Sequence, residues 1–333
     1  MERVAVLGGG AWGTAFAKVL ADARPEADVQ LWLRDPQRAE LVQRERRNER
    51  YLPGIDLPAG VTAGAERARA LAGADVVVLA VPSQTLRGLL TATADDIPRD
   101  ALLVSLMKGL ELGTSLRMSE VVAEVTGADP ERIAVVSGPN LALEIGREQP
   151  TATVVASASN EAAERLQHAS RTGYFRPYTN TDVVGVELGG VVKNVIALMT
   201  GMAEGMGFGD NTKASIITRG LAETGRLGVA LGADPLTFAG LAGLGDLVAT
   251  CSSPLSRNRT FGEQVGRGKT VAEVTAAMRQ VAEGVTSSRA VADLAARVGV
   301  DMPITSQAVR VLHEGLAPAA VVRSLMSRSA KAE

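Results

Sequence analysis

The sequence predicts an α/β protein, an N-terminal doubly wound parallel sheet followed by an all-helical C-terminal domain. Three observations carry this. Short, nearly all-apolar runs alternate with helical stretches through the first half, the pattern of strands buried on both faces. A glycine-rich turn follows the first of those runs. After about Asn180 the strand-like runs give way to long Ala- and Leu-rich helical segments. At 333 residues the chain exceeds the usual size of one core, so two domains are expected, 1–185 and 186–333.

The expected strands are "RVAVLG" from Arg3, "DVQLWL" from Asp28, "ADVVVLAV" from Ala74, "ALLVSLM" from Ala101, "RIAVVSG" from Arg132 and "TATVVAS" from Thr151. Their Val, Ile, Leu and Ala content lacks the polar alternation of a half-exposed sheet. The stretches "GTAFAKVLADA" and "PQRAELVQRERRNE" read as intervening helices. Arg44, Arg46, Arg47 and Arg50 alternate with Glu45 and Glu49 at the end of the second, which reads as a solvated helix face. In the second half, segments such as "VELGGVVKNVIALMTGMAEG" are punctuated by glycine and proline.

Composition narrows the function. The 35 basic and 37 acidic side chains leave a net charge of −2, without the basic excess of a nucleic-acid binder. Cys251 is the single cysteine, so an intrachain disulfide and a cysteine zinc site are excluded, no metal is expected, and the thiol reads as a small buried hydrophobe. No secretory leader pattern opens the chain, and no uninterrupted apolar run reaches the ~18 residues of a membrane span, so a cytoplasmic protein is expected. The two histidines, His168 and His313, fall at helix ends, so acid–base chemistry is sought elsewhere.

Gly8, Gly10 and Gly13 fit G-x-G-x-x-G, directly after a strand and opening a helix. In that context the first glycine makes the turn, the second admits a pyrophosphate, and the third lets helix and strand pack closely. The first domain therefore reads as dinucleotide-binding, of the Rossmann kind. The second strand ends "LWLRDP", which places Arg34 where a ribose 2′-phosphate would be read. Asp35 fits a ribose hydroxyl or, before Pro36, a helix N-cap. NADP is preferred, with NAD as the alternative.

Lys193 lies in a helix that is apolar nearly all round. Val192, Val195, Ile196 and Met199 form its broad face, while Gly189, Gly190, Ala197 and Gly201 share the lysine's wedge. A partly buried ammonium among small residues is the natural candidate for proton transfer. "AGLGDLVATCSSPLSRNRTFG" offers Asp246, then Ser256, Arg257 and Asn258 as a polar set suited to a small anion, with Arg257 able to hold a phosphate bidentately. Lys108 in "SLMKG" follows a strand's C-terminal end, where open sheets bind ligands, and Gly138 and Asn140 sit at a similar junction. Asn140 fits a helix N-cap as well as a ligand contact.

In order along the chain, "GGGAWGTAFA", "MKGLE", "SGPN", "GVELGGVVKNVIAL", "NTKASIITRGLAE", "GLAGLGDLVATC", "SRNRTFG", "VAEGVTSS" and "MPIT" resemble the bacterial NAD(P)-dependent glycerol-3-phosphate dehydrogenases. The resemblance implies reversible reduction of dihydroxyacetone phosphate to sn-glycerol 3-phosphate, feeding glycerophospholipid synthesis. It implies Lys193 as proton donor and acceptor, oriented by Asp246. It places Lys108, Gly138, Asn140, Lys193, Asp246, Ser256, Arg257 and Asn258 around the substrate. Ala11, Trp12, Arg34, Tyr51, Lys108, Ala142, Arg257, Val281 and Glu283 would contact the cofactor, beside the motif glycines. Asn140 departs from the family's usual serine or threonine, and Ala11 from its frequent serine. A homodimer through the helical domain is expected. Dehydrogenases of the β-hydroxyacid and 6-phosphogluconate types share the two-domain plan, but the motif set favours the triose phosphate. A sensor that binds NAD(P)H without turnover would have no use for Lys193.

Overall fold

Eight strands form one sheet in the order β3-β2-β1-β4-β5-β6-β7-β8. They are β1 (Arg3–Leu7), β2 (Asp28–Trp32), β3 (Val61–Gly64), β4 (Val76–Leu79), β5 (Leu102–Ser105), β6 (Ile133–Ser137), β7 (Thr151–Ser157) and β8 (Phe175–Asn180). The structure, a computed structural model, describes residues 2–278 and 282–326. β1 pairs in parallel with β2 on one side and β4 on the other, Val6 lying opposite Leu31 and Val78. The strand order thus reverses at β1, and ligands of doubly wound sheets bind where it does so.

Two strands escaped the sequence. β3 is short and carries a single β-branched aliphatic residue, Val61; β8 contains Pro177, which only an edge strand accommodates. The expected parallel sheet also needs a correction, because β7 runs antiparallel to β6. The connection from Ser137 to Thr151 contains only the one-turn helix Ala142–Gly146, too short for a full crossover. β8 then pairs in parallel with β7 after an eleven-residue helix.

Seven α-helices accompany the sheet. They are α1 (Ala11–Ala23), α2 (Pro36–Glu45), α3 (Arg67–Leu71), α4 (Leu86–Thr91), α5 (Met118–Thr126), α6 (Ala142–Gly146) and α7 (Asn160–Ser170). The second half is helical throughout its described residues: α8 (Val183–Gly205), α9 (Asp210–Ala230), α10 (Pro235–Ala239), α11 (Asp246–Ser252), α12 (Arg257–Gly266), α13 (Val271–Ala277), α14 (Glu283–Arg297), α15 (Pro303–Glu314) and α16 (Pro318–Met326). A π-helical turn, Leu241–Gly245, leads into α11.

The chain forms two compact units. One holds residues up to Lys108 with Leu116–Glu187; the other holds Gly109–Ser115 and residues from Leu188 onward. In the second unit the Arg297 guanidinium donates to the Thr114 carbonyl at 2.7 Å and to the Ser115 hydroxyl, which fastens the strap 109–115 to α14. In the first, Arg117 and Ser119 donate to the buried Glu187 carboxylate, joining the start of α5 to the first turns of α8.

α8 is long and apolar enough to cross a membrane, with a mean hydropathy of 1.6, although Glu187, Lys193 and Glu204 interrupt its apolar run. Its apolar window is 89% buried within the protein, so it serves as a core helix. It meets α12 backbone to backbone. A Cβ on Gly201 would strike the Arg259 carbonyl, and one on Gly262 the Leu198 carbonyl. Gly189 abuts the Ala242 carbonyl of the π turn in the same way. The space that the small residues leave around Lys193 is therefore filled partly by neighbouring backbone.

The "GLAE" and "MPIT" motifs meet in a single contact. Glu223 of α9 accepts the Ile304 N–H at 2.7 Å and the Thr305 N–H at 3.3 Å, at the N-terminus of α15. Burial pushes this carboxyl up to about 7, against the lowering pull of those two amides. The folded protein then holds a proton that the unfolded chain has released above its ordinary value of 4.5. Glu223's contribution is fullest below that value and falls as pH rises to about 7. Denaturant unfolding of wild type and Glu223→Gln at pH 5 and pH 7.5 should show the wild-type advantage shrinking at the higher pH. A constant difference would contradict the assignment.

Candidate active site

The first unit contributes the turn Gly8–Gly13. Gly8 adopts φ +127°, and a Cβ on Gly13 would collide with the Gly8 carbonyl, so both positions require glycine. Gly10 is the N-cap of α1 and supplies no side chain, while nothing lies within 4 Å of where its Cβ would be. The first-turn N–H groups of Ala11, Trp12 and Gly13 therefore lack a side-chain cap beside an open face, the donor set that a pyrophosphate requires. Ala11, which opens α1, offers only its backbone N–H there. The Trp12 ring packs 5.4 Å from Phe16 and 6.3 Å from Phe175, and its indole N–H is buried without a partner.

Just past β2, Arg34 is exposed. Asp35 caps α2, its carboxylate accepting the Gln37 and Arg38 N–H groups at 3.1 and 3.3 Å and lying 3.4 Å from the Arg38 guanidinium. Of the two uses open to Asp35 in the sequence, capping is the one found. Arg38 donates to the Tyr51 hydroxyl at 3.3 Å, and the Arg38 and Arg50 guanidiniums lie 5.4 and 5.5 Å from the Tyr51 ring centre. The arginine cluster is solvated at Arg44, Arg47 and Arg50 but is not one helix face, because α2 ends at Glu45 and Arg46 turns left-handed at φ 55°. Arg46 reaches back to the carbonyls of Val61 (2.6 Å), Leu57 (3.2 Å) and Pro58, while Arg47 pairs with Asp56 at 2.5 Å.

Lys108 donates to the Gly138 carbonyl at 2.9 Å, and Gly138 holds φ +140°. Asn140 is not the cap of α6, whose N-cap position is filled by Leu141. Its Nδ2 donates to the Thr153 hydroxyl at 2.9 Å, which donates in turn to the Ser137 carbonyl at 3.0 Å. Because the helix starts one residue later than expected, this side chain turns to β7, and its Oδ1 is buried without a partner. Ala142 opens α6.

The second unit assembles the titratable centre. Lys193 and Asp246 are buried, and the ammonium donates to Asp246 Oδ1 at 2.5 Å and to the Thr250 hydroxyl at 2.7 Å. Thr250 lies one helical turn after Asp246 and donates to the same Oδ1 at 3.3 Å. The lysine is thus paired rather than solitary. A buried ammonium opposite a carboxylate is held as a charge-balanced unit. Ser256 caps α12, accepting the Arg259 N–H at 3.3 Å. Arg257, the next residue, is exposed, whereas Arg259 is buried and bound to Glu204, Glu263 and the Ser253 carbonyl. Asn258 Nδ2 donates to Asn194 Oδ1 at 2.9 Å, and its Oδ1 accepts the Gly284 N–H at 3.0 Å, joining α8, α12 and α14. Glu283 opens α14; Val281 lies outside the described residues.

The remaining candidates stand aside. Burial raises the Cys251 thiol to about 11, which keeps it protonated. His168 Nδ1 lies 2.7 Å from the Glu164 carbonyl, and His313 Nε2 lies 3.0 Å from the Val285 carbonyl, both in last helical turns. Among the described residues, no group of three or more His, Cys, Asp or Glu side chains is placed to hold a metal ion.

Comparison with known proteins places the chain in a family. The family profile "NAD-dependent glycerol-3-phosphate dehydrogenase N-terminus" matches residues 3–163, and the corresponding C-terminus profile matches 182–323. The chain belongs to the NAD-dependent glycerol-3-phosphate dehydrogenase family. It is 64% identical to the glycerol-3-phosphate dehydrogenase [NAD(P)+] of Frankia casuarinae over 98% of this chain and 97% of that one. With the Streptomyces griseus enzyme of the same name it shares 61% identity, over 99% and 98%. A crystal structure of glycerol-3-phosphate dehydrogenase from Coxiella burnetii superposes with a TM-score of 0.93 at 39% identity, covering 98% and 99%.

Two residues of this glycerol-3-phosphate dehydrogenase family member were missed in the sequence, Thr250 and Asn194. The available signals were position and composition: Thr250 stands four residues after Asp246 on one helix face, and Asn194 is a second polar residue in "VVKNVI". Replacing Thr250 by valine keeps the shape and removes the hydrogen bond to the ammonium together with the longer one to Asp246. It should lower kcat by about tenfold, the size of one hydrogen bond to a charged group, and should also lower the melting temperature, because a buried ammonium loses a partner. An unaltered kcat would remove Thr250 from the centre.

Proposed function

We propose that the chain catalyses reversible NAD(P)H-dependent reduction of dihydroxyacetone phosphate to sn-glycerol 3-phosphate. Its family membership supports this, as does the buried Lys193–Asp246–Thr250 set, the single observation that carries the chemistry. The uncapped N–H groups of α1 would hold the pyrophosphate of the cofactor, with Arg34 and Tyr51 toward its adenosine end and Lys108, Ala142, Arg257, Val281 and Glu283 as further contacts. The nicotinamide, when bound, supplies or accepts the hydride. Arg34 together with an Asp35 already committed to capping favours NADP, with NAD as the alternative.

Lys193 Nζ would give its proton to the substrate oxygen in reduction and take it back in oxidation. Asp246 and Thr250 would hold the ammonium in place and balance its charge. Arg257 would anchor the phosphate, with Ser256 beside it and one remaining amide N–H of Asn258, whose other groups join three helices. Lys108, Gly138 and Asn140 would complete the substrate contacts. Binding the remote phosphate orients the carbonyl for proton and hydride transfer.

The domain roles follow as proposals, with 1–185 binding the dinucleotide and 186–333 carrying the proton-transfer centre. A cytoplasmic homodimer feeding glycerophospholipid synthesis fits the same reading. Support for association comes from apolar side chains exposed on the second unit, among them Leu236 at 76% and Val229 at 53%.

The test is NADPH oxidation on adding dihydroxyacetone phosphate, set against a panel of hydroxyacids and their keto forms. Arg257→Ala should raise KM for the phosphorylated ketone at least tenfold, as expected when a charge-assisted hydrogen bond is lost, with a smaller change in kcat. Oxidation that does not depend on the triose phosphate, or an unchanged KM in the variant, would overturn the reading.

A further inference from the structure

Asn48 has no role in the account above, yet the glycine turn rests on it. It lies between α2 and β3 and is 1% exposed. Its Nδ2 donates to the Gly9 carbonyl at 2.9 Å and to the Thr14 hydroxyl at 2.8 Å. One amide nitrogen therefore grips the turn itself and the early part of the helix that follows. Through its main chain, Asn48 accepts the N–H groups of Tyr51 at 3.1 Å and Leu52 at 2.8 Å, closing the bend that carries Tyr51. Its Oδ1 is buried and meets no donor.

Donor chemistry and peptide geometry together give this contact a function. Both atoms that Nδ2 holds are accepting, and one nitrogen with two N–H groups serves both; serine offers a single donor and aspartate none. The peptide between Gly9 and Gly10 is planar and trans, so fixing the Gly9 carbonyl on one side aims the Gly10 N–H the opposite way. What Asn48 supplies is orientation.

We propose that Asn48 is the positioning residue of the pyrophosphate loop, setting the direction of the loop's N–H groups and coupling the loop to the Tyr51 bend. This rests on the reading of Gly8–Gly13 as the cofactor site. NADPH fluorescence titration, thermal melting and steady-state kinetics of wild type, Asn48→Ala and Thr14→Val test it. Asn48→Ala should raise the NADPH Kd by about tenfold or more, and Thr14→Val should raise it less. KM for cofactor should follow, while kcat at saturating NADPH and KM for the ketone stay within about twofold, a split that a general loss of structure does not produce. An unchanged NADPH Kd in either variant that folds, whatever its melting temperature, overturns the proposal. Failure of the wild type itself to bind NADPH would remove the cofactor reading, and this inference with it.

Discussion

A charged amine inside an apolar helix is tolerated only if its charge is met, and the second unit is organised around meeting it. Lys193 lies in α8 with Val192, Val195 and Ile196 fully buried beside it, and its ammonium finds the Asp246 carboxylate and the Thr250 hydroxyl. Removing any one partner would leave a buried group unsatisfied, which costs more than the hydrogen bond itself. The same arrangement leaves a proton-bearing nitrogen whose position is fixed by two neighbours, as proton transfer demands.

Fixing that nitrogen requires fixing the helices, and glycine does much of this. Gly201 and Gly262 let α8 and α12 touch backbone to backbone, and Gly189 lets the π turn before Asp246 press against α8. Helices this close keep their register, since any Cβ at those points would force them apart. Asn258 then ties Asn194, the residue after the lysine, to the start of α14. In the sheet-bearing unit glycine has a different use, leaving the first N–H groups of α1 without a side-chain cap.

Much of this was legible in the sequence. The six apolar runs became strands because burial on both faces leaves a continuous hydrophobic signature. The glycine motif, the isolated lysine and the acidic residue after "GLAGLG" stood out because each breaks a local pattern. What stayed hidden depends on contacts distant in sequence. Nothing near Thr250 shows that Lys193 will reach it from 57 residues away, nor near Asn48 that Gly9 will sit 39 residues off. Asn140 and the arginine cluster misled because a one-residue difference in where a helix starts, or a left-handed residue at its end, redirects the side chains that follow. The reversal at β7 depended on the length of a connection rather than on strand composition.

The central claim, that the Lys193 ammonium is the proton-transfer group, is tested most directly by single-turnover reduction of dihydroxyacetone phosphate in Lys193→Ala with prebound NADPH. The transfer rate should fall by about 10²–10⁴-fold while cofactor affinity is kept, and small primary amines added to the solution should restore part of it. A rate close to that of the wild type would contradict the account.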